Sequence, residues 1–104
     1  YSEGLGRVVA VPWVAPECTS AWAQYSVESE RREDLRAQLQ AAGVPTAVYY
    51  PKPLHLQPVF ADLGYREGDF PVSEAASRRI FSLPMHPYLS PRDQERIIAV
   101  MTGE

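Results

Sequence analysis

The sequence predicts an α/β fold, a small two-layer α/β sandwich. Three observations predict it. Runs of β-forming residues alternate with stretches whose apolar side chains recur at helical spacing. The joins are punctuated by 10 Pro and 6 Gly, the residues that stop helices and turn chains. The length, 104 residues, suits one domain with one core rather than two.

The elements follow in order. Residues 1–7 read as a loop or linker, within a single small domain spanning 1–104. Val8 to Val11 form a short apolar run that ends at Pro12. "AWAQYSVE", 21–28, is the first full strand, with Trp22, Gln24 and Ser26 on one face and Ala23, Tyr25 and Val27 on the other. Ser29 starts a helix over about 30–42, in which Leu35, Leu39 and Ala42 form an apolar stripe and Gly43 the stop. "TAVYY", 46–50, is a second strand that runs into Pro51. "ADLGYREGD" reads as an irregular excursion. A helix covers about 71–80, with Val72, Ala75, Ala76 and Ile80 inward and Glu74, Arg78 and Arg79 outward. "IFSLPM", 80–85, is a third strand at its centre. Ser90, Pro91 and Asp93 then mark a helix N-terminus as cap, N1 and N3. No internal repeat is present.

Composition narrows the function. Apolar content of 45% and charged content of 22% belong to a folded chain. Ten basic and 13 acidic residues leave a net charge of −3 with no basic block, which argues against nucleic acid as a partner. No apolar run approaches the roughly 20 residues of a membrane span, and no basic leader opens the chain. Cys18 is the single cysteine, so neither an internal disulfide nor a thiolate metal cluster is available. That fits a reducing, cytoplasmic setting. The sequence does not start with methionine, and we expect a processed chain or a piece of a longer one.

Chemistry concentrates in "YYPKPLHLQPVF", 49–60. It holds the only lysine, one of two histidines and three prolines. Lys52 sits between Pro51 and Pro53. Amine catalysis needs a desolvated lysine or a neighbouring cation, and nothing nearby in sequence supplies either. His55 and His86 both follow a Pro–apolar dipeptide, "PLH" and "PMH", just past a predicted strand. Two histidines without a cysteine partner make no metal site, but each can hydrogen-bond a ligand. Tyr49 and Tyr50 would point to opposite strand faces. No serine elbow or Gly-rich phosphate loop occurs. The residues alone describe an α/β binding or structural module without a complete catalytic constellation.

Three stretches, "AWAQYSV", "GVPTAVYYPKPLHLQPVF" and "FPVSEAASRRIFSLPMHPYLS", occur in order with sensible gaps. Together they resemble the C-terminal small domain of the DegT/DnrJ/EryC1/StrS sugar aminotransferases, fold-type I enzymes that use pyridoxal 5'-phosphate. The resemblance covers nearly all of residues 7–101, and within the family it is nearest the branch acting on UDP-linked 3-keto sugars or uronic acids for surface polysaccharides. It implies amino transfer from a donor, commonly glutamate, to a keto-sugar nucleotide by a homodimer. It also implies that the Schiff-base lysine and most cofactor contacts belong to an N-terminal large domain outside these 104 residues. Lys52 falls outside the family's lysine motif, so no catalytic residue is expected here and the isolated chain is expected to be inactive. Tyr50, His55 and His86 are expected to face the substrate cleft, with Lys52, Trp22 and Gln24 as further substrate-binding candidates.

Overall fold

The computed structural model describes all residues, 1–104. Two strands, β1 (Tyr25–Glu28) and β2 (Ile80–Leu83), pair antiparallel with Ser26 opposite Ser82 and Val27 opposite Phe81. Single bridges widen this ribbon on both sides. Ala10 pairs with Glu28, and Ala47 pairs with Ser82. Ser82 spends its N–H and C=O on Ala47, so it meets Ser26 as a non-hydrogen-bonded pair, where side chains come closest. The two hydroxyls stand 2.7 Å apart.

Alternation along the strands builds the core. Tyr25, Val27, Phe81 and Leu83 are all buried. Helices α1 (Ser2–Leu5), α2 (Arg32–Ala41) and α4 (Pro91–Thr102) supply Leu5, Leu35, Leu39, Ile97 and Met101 to the same cluster. Sheet and helices thus form the expected two layers. Helix α3 (Pro71–Arg79) leads directly into β2 and packs beside β1. Its Ser77 carbonyl accepts from the Arg32 guanidinium at 2.7 Å.

Helix ends follow the sequence signals. Gly43, at φ +76°, ends α2. The Val44 N–H reaches the Leu39 carbonyl and the Gly43 N–H the Gln40 carbonyl, a Schellman closure with Leu39 and Val44 both buried. Arg96 of α4 donates to the Ala42 carbonyl at the same end. The Ser90 hydroxyl accepts from the Asp93 N–H at 3.1 Å and caps α4.

Four local expectations are corrected. Residues 2–5 of the expected linker form a helical turn, because Leu5 is fully buried against the core. The strand expected over 21–28 begins only at Tyr25, since Trp22 takes a left-handed φ of 49° that extended pairing cannot use. The strand expected over 46–50 shrinks to the Ala47 bridge before the Tyr49–Tyr50 cis peptide and Pro51. In α3, Val72 is 83% exposed and Glu74 is 5% exposed, the reverse of the expected faces. Polar partners reward burial of that carboxylate.

Candidate functional site

Segment 49–60 leaves the sheet after Ala47. Pro51 and Pro53 fix its φ angles and remove backbone donors. Two 3-10 turns follow, Leu54–Leu56 and Pro58–Leu63. The Gln57 side-chain amide donates to the Lys52 carbonyl at 3.0 Å and closes a loop over Lys52–His55. Tyr50 is 69% exposed, and Lys52 is exposed beside it.

Two shallow hollows meet along this side. One of about 190 Å³ is lined by Tyr49, Tyr50, Lys52 and Leu54 with Ser73 and Ser77 of α3. The other, about 270 Å³, is lined by Gln24, Thr46, Tyr49, Pro84 and Met85 among others. Tyr49 belongs to both. His86 follows Met85 directly and is exposed. Its Nδ1 accepts from the Tyr88 N–H at 3.2 Å, which leaves the proton of a neutral ring on Nε2.

His55 and Trp22 lie elsewhere. The His55 side chain is tucked under the loop. Its Nε2 faces a Glu74 carboxylate oxygen at 3.4 Å, and its ring meets Phe70 edge-on at 4.8 Å. It borders an apolar hollow of about 330 Å³ with Leu54, Phe60, Leu63 and Tyr65. Trp22 packs on Tyr25 at 5.2 Å and lines a hollow near Trp13 and Cys18. No one hollow gathers all six predicted residues.

Glu74 is the residue that sequence reasoning missed. Its carboxylate accepts from the Gly68 N–H at 2.7 Å and the Phe70 N–H at 3.1 Å. The Gly68 hydrogen bond holds its carboxyl below the usual range. Burial opposes this, and the Phe70 N–H and His55 add to it. A signal existed in "FPVSEAA": a Glu in the first turn behind a Pro can reach back to the helix start, as half of a capping box does.

These residues do not fit a covalent cofactor site. Lys52, the only lysine, is exposed and lacks the desolvation that a Schiff-base lysine uses. No cluster of three His, Cys, Asp or Glu side chains is placed to hold a metal ion. What the geometry offers is an open aromatic and polar wall with no opposite side.

The fold and this wall define a small α/β domain with an open aromatic and polar face. The chain belongs to the DegT/DnrJ/EryC1/StrS aminotransferase family, whose sequence model matches residues 1–102. The UDP-2-acetamido-2-deoxy-3-oxo-D-glucuronate aminotransferase of Pseudomonas aeruginosa is 43% identical, covering 99% of this chain and 28% of that protein. The dTDP-3-amino-3,4,6-trideoxy-alpha-D-glucose transaminase of Streptomyces venezuelae is 36% identical, covering 94% and 26%. A family aminotransferase from Brucella abortus superposes with a TM-score of 0.90 at 54% identity, covering 98% of this chain and 27% of that one. DesV from Streptomyces venezuelae, solved in complex with a ketimine intermediate, gives 0.91 at 34%, covering 98% and 28%. A Streptococcus pneumoniae chain solved in its PMP form gives 0.82 at 25%, covering 98% and 27%. The chain therefore spans about a quarter of the length of the relatives it matches.

Proposed function

We propose that these residues are the C-terminal small domain of a pyridoxal phosphate-dependent nucleotide-sugar aminotransferase. The carrying observation is the family match over residues 1–102, joined to a similarity that spans the whole chain yet only a quarter of its relatives. In the intact protein an amino group passes from glutamate to a UDP-linked 3-keto sugar or uronate, for surface polysaccharide. The identity to the Pseudomonas aeruginosa enzyme favours this branch over the dTDP-sugar branch. The cofactor supplies the electron sink. The N-terminal large domain supplies its lysine.

The part of this chain is to wall the sugar-nucleotide cleft. Tyr50 offers an aromatic face and a hydroxyl, and Lys52 a cation for phosphate or carboxylate. Gln24 and His86 border the same side, and Trp22 and His55 lie away from it. Alone, the chain is inactive. The intact protein works as a cytoplasmic homodimer, and the free, exposed Cys18 suits that compartment.

The test supplies the intact protein with pyridoxal phosphate, glutamate and UDP-2-acetamido-2-deoxy-3-oxo-D-glucuronate. Formation of 2-oxoglutarate with the aminated sugar is the expected result. Turnover of dTDP-linked keto sugars alone would overturn the UDP assignment. No turnover of either class would overturn the aminotransferase reading.

A further inference from the structure

We infer that Glu74 is a positioning residue that anchors both ends of the irregular 55–70 segment to α3 and so holds the cleft wall in place. The inference rests on the proposed reading of Tyr50 and Lys52 as part of that wall. One carboxylate gathers groups from both ends of the segment. His55 Nε2 stands 3.4 Å away at its start, and the Gly68 and Phe70 N–H groups bond at its end. The side chains of Glu74 and His55 are 6% and 7% exposed, so water competes little for these contacts. Phe70 covers the pair, with Tyr65 against Phe70 at 5.0 Å.

The segment needs such an anchor. It contains no strand, and Val59, Leu63 and Tyr65 are exposed. Few buried apolar contacts and exposed hydrogen bonds are the marks of local opening. Helix α3 is the firm side, because Ser77 is buried and its carbonyl is held by Arg32. Position then passes outward from His55. Gln57 holds the Lys52 carbonyl, and Pro51 and Pro53 restrict the path to Tyr50. No Lys or Arg side chain bonds or pairs with the Glu74 carboxylate.

Hydrogen–deuterium exchange and steady-state kinetics on the intact protein test this, with the 3-oxo-glucuronate nucleotide as substrate. Glu74→Ala removes every acceptor. Glu74→Gln keeps one oxygen for a backbone N–H and loses the anion. Amides at Gly68, Phe70 and the Leu54–Gln57 turn are expected to exchange roughly tenfold faster or more in Glu74→Ala. Glu74→Gln should fall between, with β1, β2 and α4 unchanged. KM should rise about threefold or more while kcat stays within about twofold, the pattern of lost ground-state binding. His55→Gln, which keeps a donor, should recover most of the protection that His55→Ala loses. Unchanged local exchange, or a rise spread evenly along the chain, would overturn the anchor. Faster local exchange with an unaltered KM would overturn the positioning role. An intact protein that turns over no keto-sugar nucleotide would overturn the aminotransferase reading, and the exchange pattern would still decide whether Glu74 holds the segment.

Discussion

Burial alone would raise the Glu74 carboxyl, but the Gly68 N–H, the Phe70 N–H and His55 together hold it down. The folded carboxyl therefore releases its proton more readily than the unfolded one. Its contribution is fully present above the ordinary value of 4.5 and is lost as pH falls through the lower folded value. Acid titration followed by amide exchange should show the 64–70 region loosening over that interval. Glu74→Gln should remove the acid step, and a step that survives the substitution would assign it to another group. The same residue shows where the sequence was hard to read. A helical wheel ranks Glu74 with Arg78 and Arg79 as solvent-facing. The donors that make its burial favourable sit at Gly68, Phe70 and His55, and no periodicity encodes them. Lys52 was legible as exposed because the prolines on either side exclude helix and strand pairing, whereas Tyr50 was read into a strand that stops at the Ala47 bridge. The contact of His55 with Glu74 was not, since it joins residues 19 positions apart.

Among the elements, those with local signals were readable. Helix α4 has its Ser90 cap and α2 its Gly43 stop, and both lie where the sequence marks them. The edges of the sheet were not. Ala10 and Ala47 join it through one bridge each, and a single bridge leaves no run of alternation to detect. Helix α1 is only four residues long, and it exists by docking rather than by propensity. Its Gly4 lies against Ile98 of α4, where an added Cβ would come within 2.8 Å of Ile98 Cγ2 and 2.9 Å of Cδ1. Ile is stiff at χ1, so the turn must shift. Gly4→Ala is expected to lower stability by about 1–3 kcal/mol, measured by denaturant unfolding. A midpoint unchanged from the parent would show that α1 is not docked as described.

At the scale of the whole molecule, much apolar surface stands open. Only 14 of 104 residues are buried, and Leu54, Val59, Leu63 and Val72 are among the large apolar side chains left exposed. The radius of gyration is 15.5 Å, against about 13 Å for a typical domain of this size. Surfaces of this kind associate. The 104-residue chain is expected to self-associate with rising concentration in sedimentation experiments. Val59→Lys with Val72→Lys should shift it towards monomer, since both side chains already face solvent. A chain that stays monomeric at all concentrations would contradict the association argument.

The pairing of Glu28 with Ile80 sets an order on assembly during synthesis. The ribosome releases β1 before β2, and about fifty further residues must emerge before the two can pair. Helix α4 comes later still and covers Leu5, which lies more than eighty residues earlier in the chain. Pairings between such distant residues are slow to close. The nascent chain thus carries unpaired strands and bare apolar side chains until α4 appears. Nascent chains halted before residue 91 should recruit chaperones and yield readily to protease, whereas chains released past Thr102 should resist it.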